Sequence, residues 1–300
     1  MVAQIVFIGE KSMENSILPQ ENKKPNPLAG WYRQPKIYIS LPSKGRFYPP
    51  GALDASATGD YPVYAMTAKD ELMFKTPDAL LNGQATVEVI KSCVPAIQDP
   101  WAMPSIDVDA VLIGVRIATY GENMDVAADC PHCNHENQYE VELTQWLSAF
   151  NAFEYNSDIS IDPLVVHVRP FSYQEMTKNS LKTLEHQKIF TIINDEAISD
   201  EEKIEKFGKS FVKLTQLTVD VVASCISQID TPDGSSSDPA QINEFINNAS
   251  KEVFDKISEH VSNLKSKLEM PPMNVQCESC EGKFIMPLVL DQSNFFAVRS

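Results

Sequence analysis

Six cysteines punctuate the 300 residues, and four of them stand in two pairs of identical spacing. Cys130 and Cys133 form one CxxC unit within DVAADCPHCNHENQYEVEL, and Cys277 and Cys280 form the other within MNVQCESCEGKFIMPLVL. Each unit runs into a strand-like stretch, with Tyr139, Val141 and Leu143 alternating after the first. A tight turn that presents two thiolates at a hairpin tip is a metal knuckle. Two knuckles complete a tetrahedral four-sulfur set, the closed geometry of a structural zinc ion. One structural zinc held by Cys130, Cys133, Cys277 and Cys280 is therefore the expected cofactor. The units are 143 residues apart, so the ion would tie distant parts of the chain together. A thioredoxin-like dithiol fits poorly, because there the CxxC opens a helix; two unrelated reduced dithiols are the other reading. His132 and His135 are near enough to ligate, but four thiolates already fill the shell and leave no open position for catalysis.

The elements that must position these thiols follow from periodicity and punctuation. Lys36–Leu41 alternates and predicts a strand, as does Tyr61–Met66. Between them PSKGRFYPPG reads as a structural turn, since Walker spacing is absent and Pro49 and Pro50 replace a helix start. TAKD, from Thr67, is a capping signal for a helix over Lys69–Lys75, followed by helices over Pro77–Leu81 and Gln84–Cys93. Asp107–Tyr120 reads as a buried helix stopped by Gly121, in which Arg116 requires a carboxylate or carbonyl partner. Pro163–Val168 predicts a strand. Ser172 with Glu175 and Ser199 with Glu202 form capping boxes for two long helices. In the second, Ile204, Phe207, Phe211, Leu214, Leu217, Val221 and Cys225 make an apolar stripe that predicts a core helix. Thr231–Pro239 reads as an exposed loop. Ser250–Leu268 reads as a last helix, whose stripe (Phe254, Ile257, Val261, Leu264, Leu268) is expected to complete a bundle with the two before it.

The expected fold class is α+β: a discontinuous four-cysteine zinc ribbon with a small mixed α/β N-terminal part and an inserted helical subdomain. By residue, 1–35 form an arm, 36–146 an α+β region with the first knuckle, 147–270 a mainly helical insertion, and 271–300 the second knuckle and a C-terminal strand. Gly9–Ser12 can be encoded by a purine tract ahead of Met13, so the natural start is expected at Met13, with 1–12 untranslated.

Composition narrows the function. The formal charge is −16, from 25 basic and 41 acidic residues, which disfavours a broad phosphate-binding face. No run is long and apolar enough for a membrane helix. Unpaired, buried thiols are expected at Cys93 and Cys225, and the cysteine usage fits a reducing cytoplasm. Between Asn22 and Arg46 the charge reverses: six basic residues, no acidic one, and Trp31, Tyr32 and Tyr38 among them. Trp31, Tyr32, Arg33 and Lys36 are therefore candidate partner-binding residues, and removing the chain before Lys36 should leave the rest folded. His132, His135, His167, His186 and His260 form no HExxH pattern, and no GxSxG elbow or dinucleotide fingerprint is present. No catalytic residues are assigned, and no small-molecule substrate.

Three segments, ISLPSKGRFYPPG, AKDELMFKTPDALLNGQATVEVIKSCV and DVDAVLIGVRIATYGENMDVAADCPHC, occur in that order. Together they resemble the baseplate protein family of T4-type tailed bacteriophages, most firmly over Lys36–Leu143, with the closing PLVLDQSNFF resembling family C-termini. The resemblance implies a non-enzymatic structural or chaperone-like assembly protein of the central baseplate hub of a contractile tail. Its partners would be other hub or tail proteins, and it would reside in the host cytoplasm during assembly, either leaving as a transient factor or staying in the virion baseplate. A zinc-ribbon regulatory or nucleic-acid-binding protein is the alternative, opposed by the acidity; a hydrolase with a cryptic site is a third reading.

Overall fold

A computed structural model describes residues 26–75, 82–192, 199–270, 272–288 and 295–296, with backbone alone at 29, 185–192 and 200–207. The chain divides into Met1–Arg33 and Gln34–Ser300. In the first unit a 3-10 turn spans Ala29–Trp31. The expected helix at Pro77–Leu81 and the side chain of Glu202 lie outside the described residues, as do residues 1–25.

The second unit begins with β1 (Pro35–Ser40) and β2 (Asp60–Tyr64), paired antiparallel with Ile39 opposite Tyr61. Helix α1 (Ala68–Phe74) starts where the capping signal placed it: Thr67 accepts from the Asp70 amide, and Asp70 reaches back to the Thr67 amide. Helix α2 (Gln84–Cys93) and a 3-10 turn at Pro100–Ala102 lead to α3 (Ser105–Tyr120). α3 is the spine of the first core, buried continuously from Ala110 to Ala118. Gly114 faces β1 so closely that a Cβ there would lie 3.0 Å from Ile39, which is why the helix can rest on the sheet.

Asp107, in the first turn of α3, is fully buried and holds the Pro42–Phe47 turn. Its carboxylate accepts from the Ser43 amide at 2.7 Å, the Ser43 hydroxyl at 2.6 Å and the Tyr48 hydroxyl at 3.0 Å. Burial pushes this acid up to about 6, although the Ser43 and Tyr48 bonds pull the other way.

Two hairpin strands follow, β3 (Asn123–Asp129) and β4 (Glu136–Glu142), then α4 (Leu143–Asn151). The remaining chain forms β5 (Asp158–Ile161), β6 (Leu164–Val168), α5 (Tyr173–Ile192), α6 (Asp200–Ser224), β7 (Ile226–Thr231), β8 (Gly234–Ser236), α7 (Pro239–Asn248) and α8 (Lys251–Ser266). A second hairpin, β9 (Met273–Gln276) with β10 (Lys283–Met286), closes the described order. Strands β5 to β8 make one antiparallel sheet in sequence order. Helices are thus mixed with small antiparallel sheets.

Four expectations are corrected here. The stripe of α8 does not pack on helices alone: Ile257 and Leu264 are buried in a second core with Val222 and Ala223 of α6 and also with Ile159, Val166, Val168 and Ile229 of the sheet. Thr231–Pro239 is not an open loop, because Gly234–Ser236 pairs back onto β7, with Thr231 opposite Gly234. Of the stripe expected along α6, Phe211 is 61% exposed, Leu214, Leu217 and Val221 are half-buried and Cys225 is buried, while the side chains of Ile204 and Phe207 lie outside the described residues. Arg116 finds no hydrogen-bond partner for its buried Nε and Nη1 among the described residues; instead its guanidinium lies over the rings of Tyr120 and Phe295, at 5.1 and 5.5 Å.

Candidate metal centre

The two hairpins put the two CxxC units at their tips, and the two turns share one backbone pattern. In the first, the Cys130 amide donates to the His135 carbonyl and the Asn134 amide to the Cys130 carbonyl. In the second, Cys277 donates to Gly282 and Glu281 donates to Cys277 in the same relation. Asn134 and Glu281, each four residues after its first cysteine, both take positive φ, 55° and 57°. This shared left-handed residue folds the turn back so that both sulfurs point the same way.

All four sulfurs lie within 4.8 Å of one another. Cys130 Sγ is 3.7 Å from Cys280 Sγ, and Cys133 Sγ is 3.6 Å from Cys277 Sγ. These separations exclude disulfides, whose S–S length is about 2.05 Å. They match the edge of a tetrahedron, about 3.8 Å, for sulfurs at about 2.3 Å from a central ion. Four cysteines in this arrangement can hold a metal ion. Cys130 and Cys277 are buried while Cys133 and Cys280 face outward, so the cluster lies at the surface of its hairpins.

Local charge favours thiolate unevenly. Desolvation pushes Cys277 up, but the Cys280 and Ser279 amides and neighbouring donors pull it down to about 6. A His135 backbone bond pulls Cys133 down, yet desolvation and the three other cysteines push it up to about 12. Without a cation the cluster therefore keeps a proton among its sulfurs, and a bound cation would displace it. The His132 amide also donates to Cys130 Sγ at 3.4 Å.

Three residues beyond the cysteines join the knuckles, and sequence reading named none of them for this role. Asn137, 1% exposed, donates to the His135 carbonyl at 2.9 Å and accepts from the Glu278 amide at 2.8 Å. Tyr139 donates to the Gln276 carbonyl at 3.0 Å and meets Phe284 edge-on. Gly282 lies where a Cβ would sit 2.7 Å from His132 Cδ2 and 3.2 Å from Cys280 Sγ, so the close approach requires glycine. An Asn seven residues after a cysteine carries no motif of its own. The glycine two residues after the second CxxC was the only legible signal.

The candidate partner-binding residues are placed as follows. Trp31 ends the 3-10 turn and is 87% exposed, and Tyr32 is exposed while accepting from Asn26 Nδ2 at 2.7 Å. Arg33 is half-buried, and Lys36 lies on the outward face of β1 beside exposed Tyr38. No described helix is long and apolar enough to cross a membrane.

Residues 40–297 match the model of one protein family, described as T4 bacteriophage base plate protein. No curated protein and no solved structure matches the chain.

Proposed function

The chain belongs to the T4 bacteriophage base plate family, and from that membership we propose a non-enzymatic structural or assembly protein of the central hub, folded around one structural zinc ion. A base plate protein works against other phage structural proteins, so its chemistry is that of contact. The observation that carries the proposal is the extent of the match. Residues 40–297 include all four cysteines, so the candidate metal centre falls within the matched stretch. Sulfur separations of 3.6 and 3.7 Å suit zinc, and four thiolates close its shell. Metal analysis should find one zinc per chain; iron, or no metal, overturns that identity.

Trp31, Tyr32, Arg33 and Lys36 precede the matched residues, so the arm is where this chain would choose its own partner. Its basic, aromatic composition on an acidic chain supports docking on a hub protein. Affinity purification from infected cells should recover hub proteins with the full chain. A form lacking residues 1–33 should stay folded and metal-loaded but lose them, since Pro35 already pairs with Tyr64 in β1. Equal capture by both forms refutes the arm; capture of no base plate protein by either, together with absence from purified virions, refutes the hub.

A further inference from the structure

A cavity of about 790 Å³ opens between the two cores. Its lining draws on both, with Phe150 and Met176 from the first core and Ile106, Val261 and Leu264 from the second. Its size falls in the range, about 300–1,000 Å³, in which proteins seat small ligands or a few partner side chains.

One group in this apolar wall stands out chemically. Two residues after Asp107, which faces the Pro42–Phe47 turn, Asp109 lines the cavity. Its side chain is open to the cavity yet hemmed in by protein, and burial alone pushes its carboxyl up to about 6. Among the described residues, no donor hydrogen-bonds this carboxylate and no cation acts on it. Arg169, on the same wall, is committed to Glu175 through two bonds of 2.9 and 2.7 Å. Cys225, also on the wall, has its thiol pushed up by burial to about 12, which removes it as a nucleophile. Lys265 and Glu269, four residues apart, also line the cavity, and Asp109 is the carboxylate there on which no cation acts.

We propose that this cavity receives a protein segment carrying apolar side chains beside a lysine or arginine, whose cation pairs with Asp109. Charge complementarity selects the occupant: an acid without a partner in apolar surroundings is stabilised by a cation that arrives with its own apolar flanks. That the segment belongs to another base plate protein rests on the family reading above; the cavity's preference does not.

The test uses the full, metal-loaded chain and three blocked peptides, acetyl-Leu-Lys-Phe-Leu-amide and its forms with Gln or Glu in place of Lys. Titration calorimetry should show the Lys peptide binding about tenfold tighter than the Gln peptide, as one charge-assisted bond requires. The Glu peptide should not bind. Asp109→Asn should erase the Lys preference while keeping the Gln peptide. Ser180→Trp, from an exposed position on the wall, should block both peptides with the thermal midpoint unchanged. Equal binding of Lys and Gln peptides, a preference that survives Asp109→Asn, or no binding at all overturns the proposal. The peptides carry no base plate sequence, so their failure leaves the hub reading standing, and failure of the hub reading leaves the cavity result standing.

Discussion

Removing the side-chain amide of Asn137 would cut the bonds to His135 and Glu278 at once, one on each knuckle. Asn137→Ala should therefore destabilise the ribbon by about 1–3 kcal/mol, the cost of leaving buried polar partners unmet, and denaturant titration would measure it. Gly282→Ala acts by crowding rather than loss. The new methyl would strike His132, so metal should leave faster to a chelator, and His132→Ala in the same chain should restore retention. If the double variant is no better than the single one, the contact with Cys280 matters instead. Cys277→Ser should lower metal content from one per chain to under a tenth, because three thiolates leave the shell open, while near-ultraviolet dichroism of the cores persists. At this scale the cluster of four cysteines was legible, since each CxxC is local. Asn137 and the ring-covered Arg116 were not, because their partners are fixed by pairing across about 140 and 180 residues, which no local pattern reports.

Strands β5, β6 and β7 are joined by a single imidazole. His167 Nδ1 is 2.9 Å from Asp158 and Nε2 is 2.8 Å from Asp230, so both nitrogens serve as donors only when the ring is charged. The bonds to Asp230 and Asp158 raise His167 above its ordinary value of about 6.5, and the same bonds hold both acids below theirs. The raised base contributes fully below its unfolded value and loses that contribution as pH rises through the folded one. The depressed acids contribute above about 4 and lose theirs as pH falls. The thermal midpoint should thus decline on the neutral side, and His167→Gln should flatten that decline; an unchanged slope between pH 6 and 8.5 would sink the clamp. Element boundaries were readable where caps are local, as at Thr67, Ser172 and Ser250. Helix α7 also had a readable start, Asp238 capping with Pro239 at the first position, which the loop-like run before it obscured. Strand β8 had no such signal: Gly-Ser-Ser has little strand propensity, and only pairing with β7 makes it one.

Across the whole molecule, the cysteines divide the chain into what lies within their span and what lies outside it. An ion at the four sulfurs would fasten Cys133 to Cys277, with 143 residues between them. Under tension the load would then run along β3 or β4, through metal–sulfur bonds, and out along β9 or β10. The second core, from Phe153 to Leu268, would carry none of it. The centre is in this sense a mechanical bypass, and the intervening segment can keep its fold while the flanking chain is stretched. Optical-tweezer extension of the loaded protein, held by handles outside the ribbon, should stop short by roughly 500 Å, the contour of those residues at about 3.6 Å each. Adding a chelator should release that length in further steps. If the same length appears with the metal in place, the load passes through the insertion and the sulfurs do not bear it.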